Sequence, residues 1–171
     1  MNIEFTNSVP EELRNEIVII SGKESVKWSN VEYLVLKDND TIKKVLQIRF
    51  EAHCSPFKDA IIRDNLLAVG HQGHFYLYNF LENINVLVLQ VDGYFGHFYI
   101  NENLFYVTGS DSICCINEKG NLIWKNPNLG VDGILIKRFG DNKIYGSSEC
   151  DPPSGWQDFV LDITTGKLIN D

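Results

Sequence analysis

Three observations predict a mainly β chain assembled from small four-stranded antiparallel sheets. Apolar runs are short and rich in Val, Ile, Tyr and Phe, residues that suit a pleated, half-buried surface. Each run is bounded by Gly, Asn or Asp, which accept the positive φ of tight turns. The pattern also repeats: the turn residue Asn65 lies 38 residues before Asn103, which lies 39 before Asn142. Four short strands in roughly 40 residues make the blade of a β-propeller, a unit that buries both faces of its sheet only against neighbours. A chain of 171 residues holds at most about four such units, so the expected architecture is an incomplete or small β-propeller-like stack of about three to four blades.

The elements follow in order. Residues 1–57 form an N-terminal β segment that either caps an open sheet edge or supplies an extra blade. In it, Ser8-Val9-Pro10-Glu11-Glu12-Leu13 offers an N-cap, an early proline and a capping-box glutamate, and predicts a short helical turn. Residues 17–21, 31–36 and 45–50 read as strands, with Asp38-Asn39-Asp40 as a turn. Three repeats then cover 58–95, 96–132 and 133–171, the whole forming one compact domain. Their expected strands are 59–63, 66–70, 74–78 and 86–89; then 96–100, 104–107, 112–116 and 122–124; then 134–136, 143–146, 159–163 and 167–169. The last repeat is interrupted at 147–156 by what reads as a long hairpin loop containing Pro152, Pro153 and Trp156.

The second repeat, Asn103-Leu104-Phe105-Tyr106-Val107-Thr108-Gly109-Ser110-Asp111-Ser112-Ile113-Cys114-Cys115-Ile116-Asn117-Glu118-Lys119-Gly120-Asn121-Leu122-Ile123-Trp124, resembles the quinoprotein-type (PQQ-like) propeller repeat. That repeat pairs a "yvgs-dg" hairpin with a "lyalD-tG-lxW" ending. The third repeat matches the ending at Leu161-Asp162-Ile163-Thr164-Thr165-Gly166-Lys167-Leu168-Ile169. The run from Gly146 to Trp156 is similar to one found in small standalone bacterial proteins of this repeat type. The resemblance spans 58–171 and implies a fold, because such blades are scaffolds that host unrelated functions. In some quinone-dependent dehydrogenases of this type a vicinal cysteine pair touches the quinone. Here Cys114 and Cys115 fall inside a predicted strand, where successive side chains face opposite ways, and they read as small buried apolar residues.

Composition narrows the function. Apolar residues are 44% and charged residues 22%, which fits a globular chain. With 15 Lys plus Arg against 23 Asp plus Glu the net charge is −8, which disfavours nucleic acid as a direct partner. No apolar run is long enough for a membrane span, and Met1-Asn2-Ile3-Glu4 lacks the basic start of a secretory signal, so a cytoplasmic location is expected. Cys54, Cys114, Cys115 and Cys150 have no zinc spacing and read as reduced thiols. His71, His74 and His97 sit beside glycines and read as turn or rim residues. No phosphate-binding loop, nucleophile elbow, HExxH or deaminase motif occurs. No cofactor and no metal are expected.

Charge is unevenly spread. No Lys or Arg occurs between Arg63 and Lys119, a stretch holding Asp64, Glu82, Asp92, Glu102, Asp111 and Glu118. A negative face is expected from this asymmetry. The leading expectation is a non-enzymatic acidic binding protein: a bacterial immunity protein, as in contact-dependent growth inhibition, that covers the active site of a basic toxin, in the first instance a nuclease, in a 1:1 complex. The candidate partner-binding residues are Glu149, Asp151 and Trp156, followed by Asp92, Glu102 and Asp111. Two alternatives stay open. One is a general protein-interaction scaffold. The other is a small-molecule or sugar-binding module, or a hydrolase, using Tyr76, Tyr78, Tyr94, Phe95 and Tyr99, which read more simply as blade core.

Overall fold

A computed structural model describes residues 1–21, 30–151 and 154–169. The first sheet contains β1 (Asn2–Thr6), β2 (Val18–Ile19), β3 (Asn30–Asp38) and β4 (Thr41–Phe50), in the order β1-β3-β4-β2. β3 and β4 form an antiparallel hairpin closed at Asn39, whose φ is 52°. β2 joins β4 in parallel through Val18↔Leu46 and Ile19↔Gln47. The expected helical turn is a 3₁₀ helix at Glu11–Glu16 with Pro10 at its N-cap and no side-chain cap. The expected capping box does not form because the Ser8 amide donates to Thr6 Oγ1 instead, which in turn donates to the Ser8 carbonyl.

The next two sheets are simple meanders. β5 (Lys58–Arg63), β6 (Leu66–His71), β7 (His74–Asn79) and β8 (Ile84–Gln90) lie in chain order, as do β9 (His97–Asn101), β10 (Leu104–Thr108), β11 (Ile113–Asn117) and β12 (Leu122–Asn126). The last sheet has three strands, β13 (Ile134–Gly140), β14 (Lys143–Cys150) and β15 (Gly155–Asp162). The fourth strand expected at 167–169 shrinks to one bridge, Leu161↔Leu168. The reason is local. The Asp162 carboxylate accepts hydrogen bonds from the Thr164 and Thr165 amides at 3.0 and 2.8 Å. This Asx-type turn spends 163–167 on reversal.

The expected hairpin loop at 147–156 is mostly strand. Ser147↔Asp158, Ser148↔Gln157, Glu149↔Trp156 and Cys150↔Gly155 continue the β14–β15 ladder to its tip. Gly155 helps close that tip with φ of 58°. Pro152 and Pro153 lie outside the described residues.

The contacts divide the chain into two compact units, one of Met1–His53, Ala60–Val69 and Tyr76–Val88, the other of Cys54–Asp59, Gly70–Phe75 and Leu89–Asp171. In the first, Ile20, Leu34, Leu46, Ile48, Leu67, Tyr76 and Tyr78 are core residues. In the second, Tyr106, Ile113, Cys115, Trp124, Ile136, Ile144, Phe159 and Leu161 form the core. The three rings of that second core, Tyr106, Trp124 and Phe159, each bury a large area among its aliphatic side chains. All four cysteines are unpaired thiols. Burial pushes Cys114 and Cys115 each up to about 11, which keeps them protonated and weakly reactive at neutral pH. No helix among the described residues is long and apolar enough to cross a membrane.

Candidate functional site

Antiparallel strands reverse every few residues, so the connections of the second unit collect at two opposite ends of its strands. One end holds the β10–β11 and β12–β13 connections, the segment entering β9, and the tip of the β14–β15 hairpin. The other holds the tight β9–β10, β11–β12 and β13–β14 turns. We call them the Trp156 edge and the Glu102 edge.

At the Trp156 edge the loops are tied by backbone hydrogen bonds. Gly133 N–H donates to the Ser110 carbonyl at 2.8 Å and Glu149 N–H to the Gly133 carbonyl at 2.9 Å. Leu129 N–H donates to the Asp111 carbonyl at 2.7 Å, and Ser148 Oγ to the Leu129 carbonyl at 2.6 Å. These bonds fix a cleft of about 360 Å³ lined by Phe57, Tyr94, His97, Asp132, Glu149 and Trp156, among others. Trp156 is half exposed and Phe57 42% exposed. Phe57 stacks on Tyr94 with ring centroids 6.3 Å apart and meets His97 at 5.2 Å. The indole packs closely over Gly133, where a Cβ would lie 3.2 Å from the Trp156 ring.

The electrostatics of this cleft are acidic. Tyr94 Oη lies 2.7 Å from the Asp132 carbonyl and 3.1 Å from its carboxylate, and donates to them. Burial first, then the Asp132 hydrogen bond and charge, then the Glu149 charge, push the Tyr94 phenol up to about 12. Among the described residues no Lys or Arg lines the cleft.

The six expected partner-binding residues divide. Glu149 and Trp156 face each other across the β14–β15 ladder and both line the cleft. Asp151 is exposed at the tip of the same hairpin. Asp92 and Asp111 lie at this edge but outside the cleft. Asp92 pairs with Lys125 at 2.5 Å. The hydrogen bonds from Lys125 and Ser112 hold its carboxyl below the usual range. One Asp111 oxygen is buried without a hydrogen-bond partner among the described residues, and its charge helps raise the Lys125 ammonium, after the larger Asp92 contribution. Glu102 lies at the opposite edge, in the β9–β10 turn. Within this unit the acids of the base-free stretch therefore do not share a face: Asp92 and Asp111 lie at one edge, Glu102 and Glu118 at the other.

Sequence reasoning missed Phe57 and Asp132 and counted Tyr94 only among small-molecule candidates. The available signal was weak: Tyr94 sits in Gly93-Tyr94-Phe95-Gly96, between strands, where a core aromatic is not required. Of the other aromatic candidates, Tyr76, Tyr78 and Phe95 are buried, and Tyr99 packs against the second core. Among the described residues no set of three His, Cys, Asp or Glu side chains is placed to hold a metal ion.

No family profile matches the chain, and no curated protein matches it in sequence. Among solved structures, BamB from Moraxella catarrhalis is similar over 98% of this chain and 51% of its own, with 14% identity and a TM-score of 0.55. Kluyveromyces lactis Hsv2p aligns over 85% of this chain and 58% of its own, with 9% identity and a TM-score of 0.40. The chain thus spans about half the length of BamB. BamB is a β-propeller with the PQQ-like repeat fold; the small sheets of this chain are mainly β and β-propeller-like.

Proposed function

We propose that this chain is a non-enzymatic acidic binding protein that docks a basic protein on its Trp156 edge. The observation carrying the reading is the cleft itself: accessible aromatic rings of Phe57 and Trp156 beside the carboxylates of Asp132 and Glu149, with no Lys or Arg in the lining among the described residues. An arginine side chain of the partner suits such a place, because a guanidinium stacks on an aromatic face and forks onto a carboxylate. Asp151, on the same hairpin, extends the negative rim. In its narrower form the partner is a bacterial toxin domain, a nuclease in the first instance, and binding blocks it by covering its active site in a 1:1 complex. That narrower form rests on charge sign and on the bacterial character of the resemblance at 146–156.

The test is to co-express this chain with the product of the adjacent gene and measure the complex by size exclusion and calorimetry. A stable 1:1 complex that weakens with added salt, and weakens further with Trp156→Ala or Glu149→Gln, supports the reading. Recovery of separate monomers at micromolar concentration, or a complex indifferent to both substitutions, overturns it.

A further inference from the structure

The Trp156 cleft has a ligand chemistry of its own, apart from any protein that docks over it. Its volume, about 360 Å³, falls within the range of small-molecule sites. Its rings come from three separate places in the chain: Phe57 precedes β5, Tyr94 lies between β8 and β9, and Trp156 belongs to β15. Phe57 and Tyr94 stack at an interplanar angle of 29°. Over Gly133, the point where a Cβ would stand lies 3.2 Å from Trp156 Cη2 and 4.0 Å from Glu149 Oε2, so a carboxylate stands beside the indole above the same patch of floor. The nearby acceptors are largely engaged. The Asp132 carbonyl and carboxylate accept from Tyr94 Oη, and the Gly133 carbonyl accepts from the Glu149 N–H. The cavity at the Glu102 edge, about 520 Å³, shares an acidic rim but keeps Tyr106 and Trp124 buried beneath it, so it presents no open set of rings.

We propose that this cleft binds a trimethylammonium group, as carried by choline or by a trimethylated lysine. Three features select that group. Aromatic faces attract a cation through their quadrupole, and a cluster of rings is a recurrent receptor for quaternary ammonium. Asp132 and Glu149 supply negative charge, and among the described residues no Lys or Arg lines the cleft to oppose it, so anions are repelled. The third feature is the shortage of free acceptors. A primary ammonium carries three N–H donors and a guanidinium five, and a donor taken from water without a new partner is costly. A trimethylammonium carries none, and its methyl groups suit a lining that includes Phe57, Ile134 and Trp156. An arginine from a partner suits the rim, where water satisfies its spare donors; the trimethylammonium suits the enclosed space behind it.

The test is an amide-shift titration of the whole chain with choline and with a short peptide bearing trimethyllysine. The contrasts are the neutral isostere of choline with carbon in place of nitrogen, the unmethylated peptide, and acetate. Choline is expected to move the signals of Tyr94, His97, Gly133 and the Trp156 indole saturably, with the neutral isostere bound about 10-fold more weakly and acetate without effect. Trp156→Ala and Glu149→Gln are each expected to weaken choline about 5-fold to 10-fold with little change in Tm, since neither side chain is buried; Trp156→Phe should keep most of the binding. Response to choline alone makes the source a small molecule, and tighter binding of the trimethylated peptide makes it a methylated protein. Silence toward both cations overturns the proposal. So does equal binding of choline and its neutral isostere, equal binding of the two peptides, or choline binding indifferent to Trp156→Ala. The titration uses no partner. A 1:1 complex with the adjacent gene's product beside silence toward both cations breaks this inference alone, and choline binding beside separate monomers breaks only the partner reading.

Discussion

The two edges of the second unit are built from the same strands and differ in what their connections allow. At the Glu102 edge the turns are tight: Glu102, Asp141 and Asn142 all have positive φ, between 52° and 58°. Such turns leave few residues to carry apolar surface outward, so the apolar groups stay inside and a polar rim closes over Tyr106 and Trp124. At the Trp156 edge the chain takes longer routes between strands, and Tyr94 and Asp132 come from these routes. There the aromatic rings face outward. One edge therefore offers area and the other depth, and the lengths of the connections set the difference.

The most damaging way to break this contrast is at Gly166. Its φ is +68°, and a Cβ there would lie 2.3 Å from the Trp124 ring. Gly166→Val combines an unfavourable left-handed backbone with overpacking, and about 3 kcal/mol of stability should be lost in urea unfolding. The loss should be concentrated at the Glu102 edge, with faster amide exchange around Trp124 and Ile163, whose carbonyl accepts from Trp124 Nε1. Uniformly faster exchange at both edges would mean that they are not separable.

Trp156→Ala is the mirror experiment. The indole is half exposed, so its removal should change Tm little, whereas partner affinity should fall by about 2 kcal/mol, the scale of an aromatic anchor. Calorimetry with the co-purified partner checks this. A fall in stability as large as the fall in affinity would make Trp156 a structural residue.

Much of this architecture was legible because a hairpin repeats two signals, apolar alternation and an Asn or Asp turn. The β9–β12 and β13–β14 elements follow them closely. In the first sheet the strands at 17–21, 31–36 and 45–50 and the turn at 38–40 were legible, but β1 was not expected, and neither was the parallel pairing of the two-residue β2 with a strand more than 20 residues away, which leaves no local pattern. The Glu149–Trp156 pairing was half legible: both residues were singled out, but as loop residues, because two prolines mask a ladder that runs to Cys150↔Gly155. The grouping of acids failed for a geometric reason. Strands reverse about every ten residues, so Asp92, Glu102, Asp111 and Glu118 fall at alternate edges, and neighbours in charge along the chain become opposites in space. Phe57 and Asp132 reach the cleft from outside the strands, where no periodicity marks them.

A smaller effect of opposite sign is expected at Tyr106. Its hydroxyl is buried with no well-aligned hydrogen-bond partner among the described residues, so removing it should leave stability equal or raise it, by up to about 1 kcal/mol. A clear loss in the urea unfolding of Tyr106→Phe would mean that the hydroxyl is satisfied by its neighbours Cys115 and Asn101.

The finest probe is the ionisation of Tyr94. Its folded pKa, about 12, lies above the ordinary value near 10, so the fold favours the neutral phenol. The corresponding stability is complete below about pH 10 and drains away as pH rises toward 12, because the unfolded chain ionises first. Glu149→Gln removes the smallest of the causes that raise this pKa, after burial and Asp132, so the pKa should fall by a fraction of a unit, and the alkaline loss should still begin near pH 10 but be smaller and end earlier. Tyrosine-labelled NMR titration, with Tyr94→Phe to assign the signal, reads this directly. Glu102→Gln, at the other edge, should not move it. If both substitutions shift Tyr94 equally, the acidic character belongs to the whole unit, and the Trp156 cleft has no special claim on a cationic side chain.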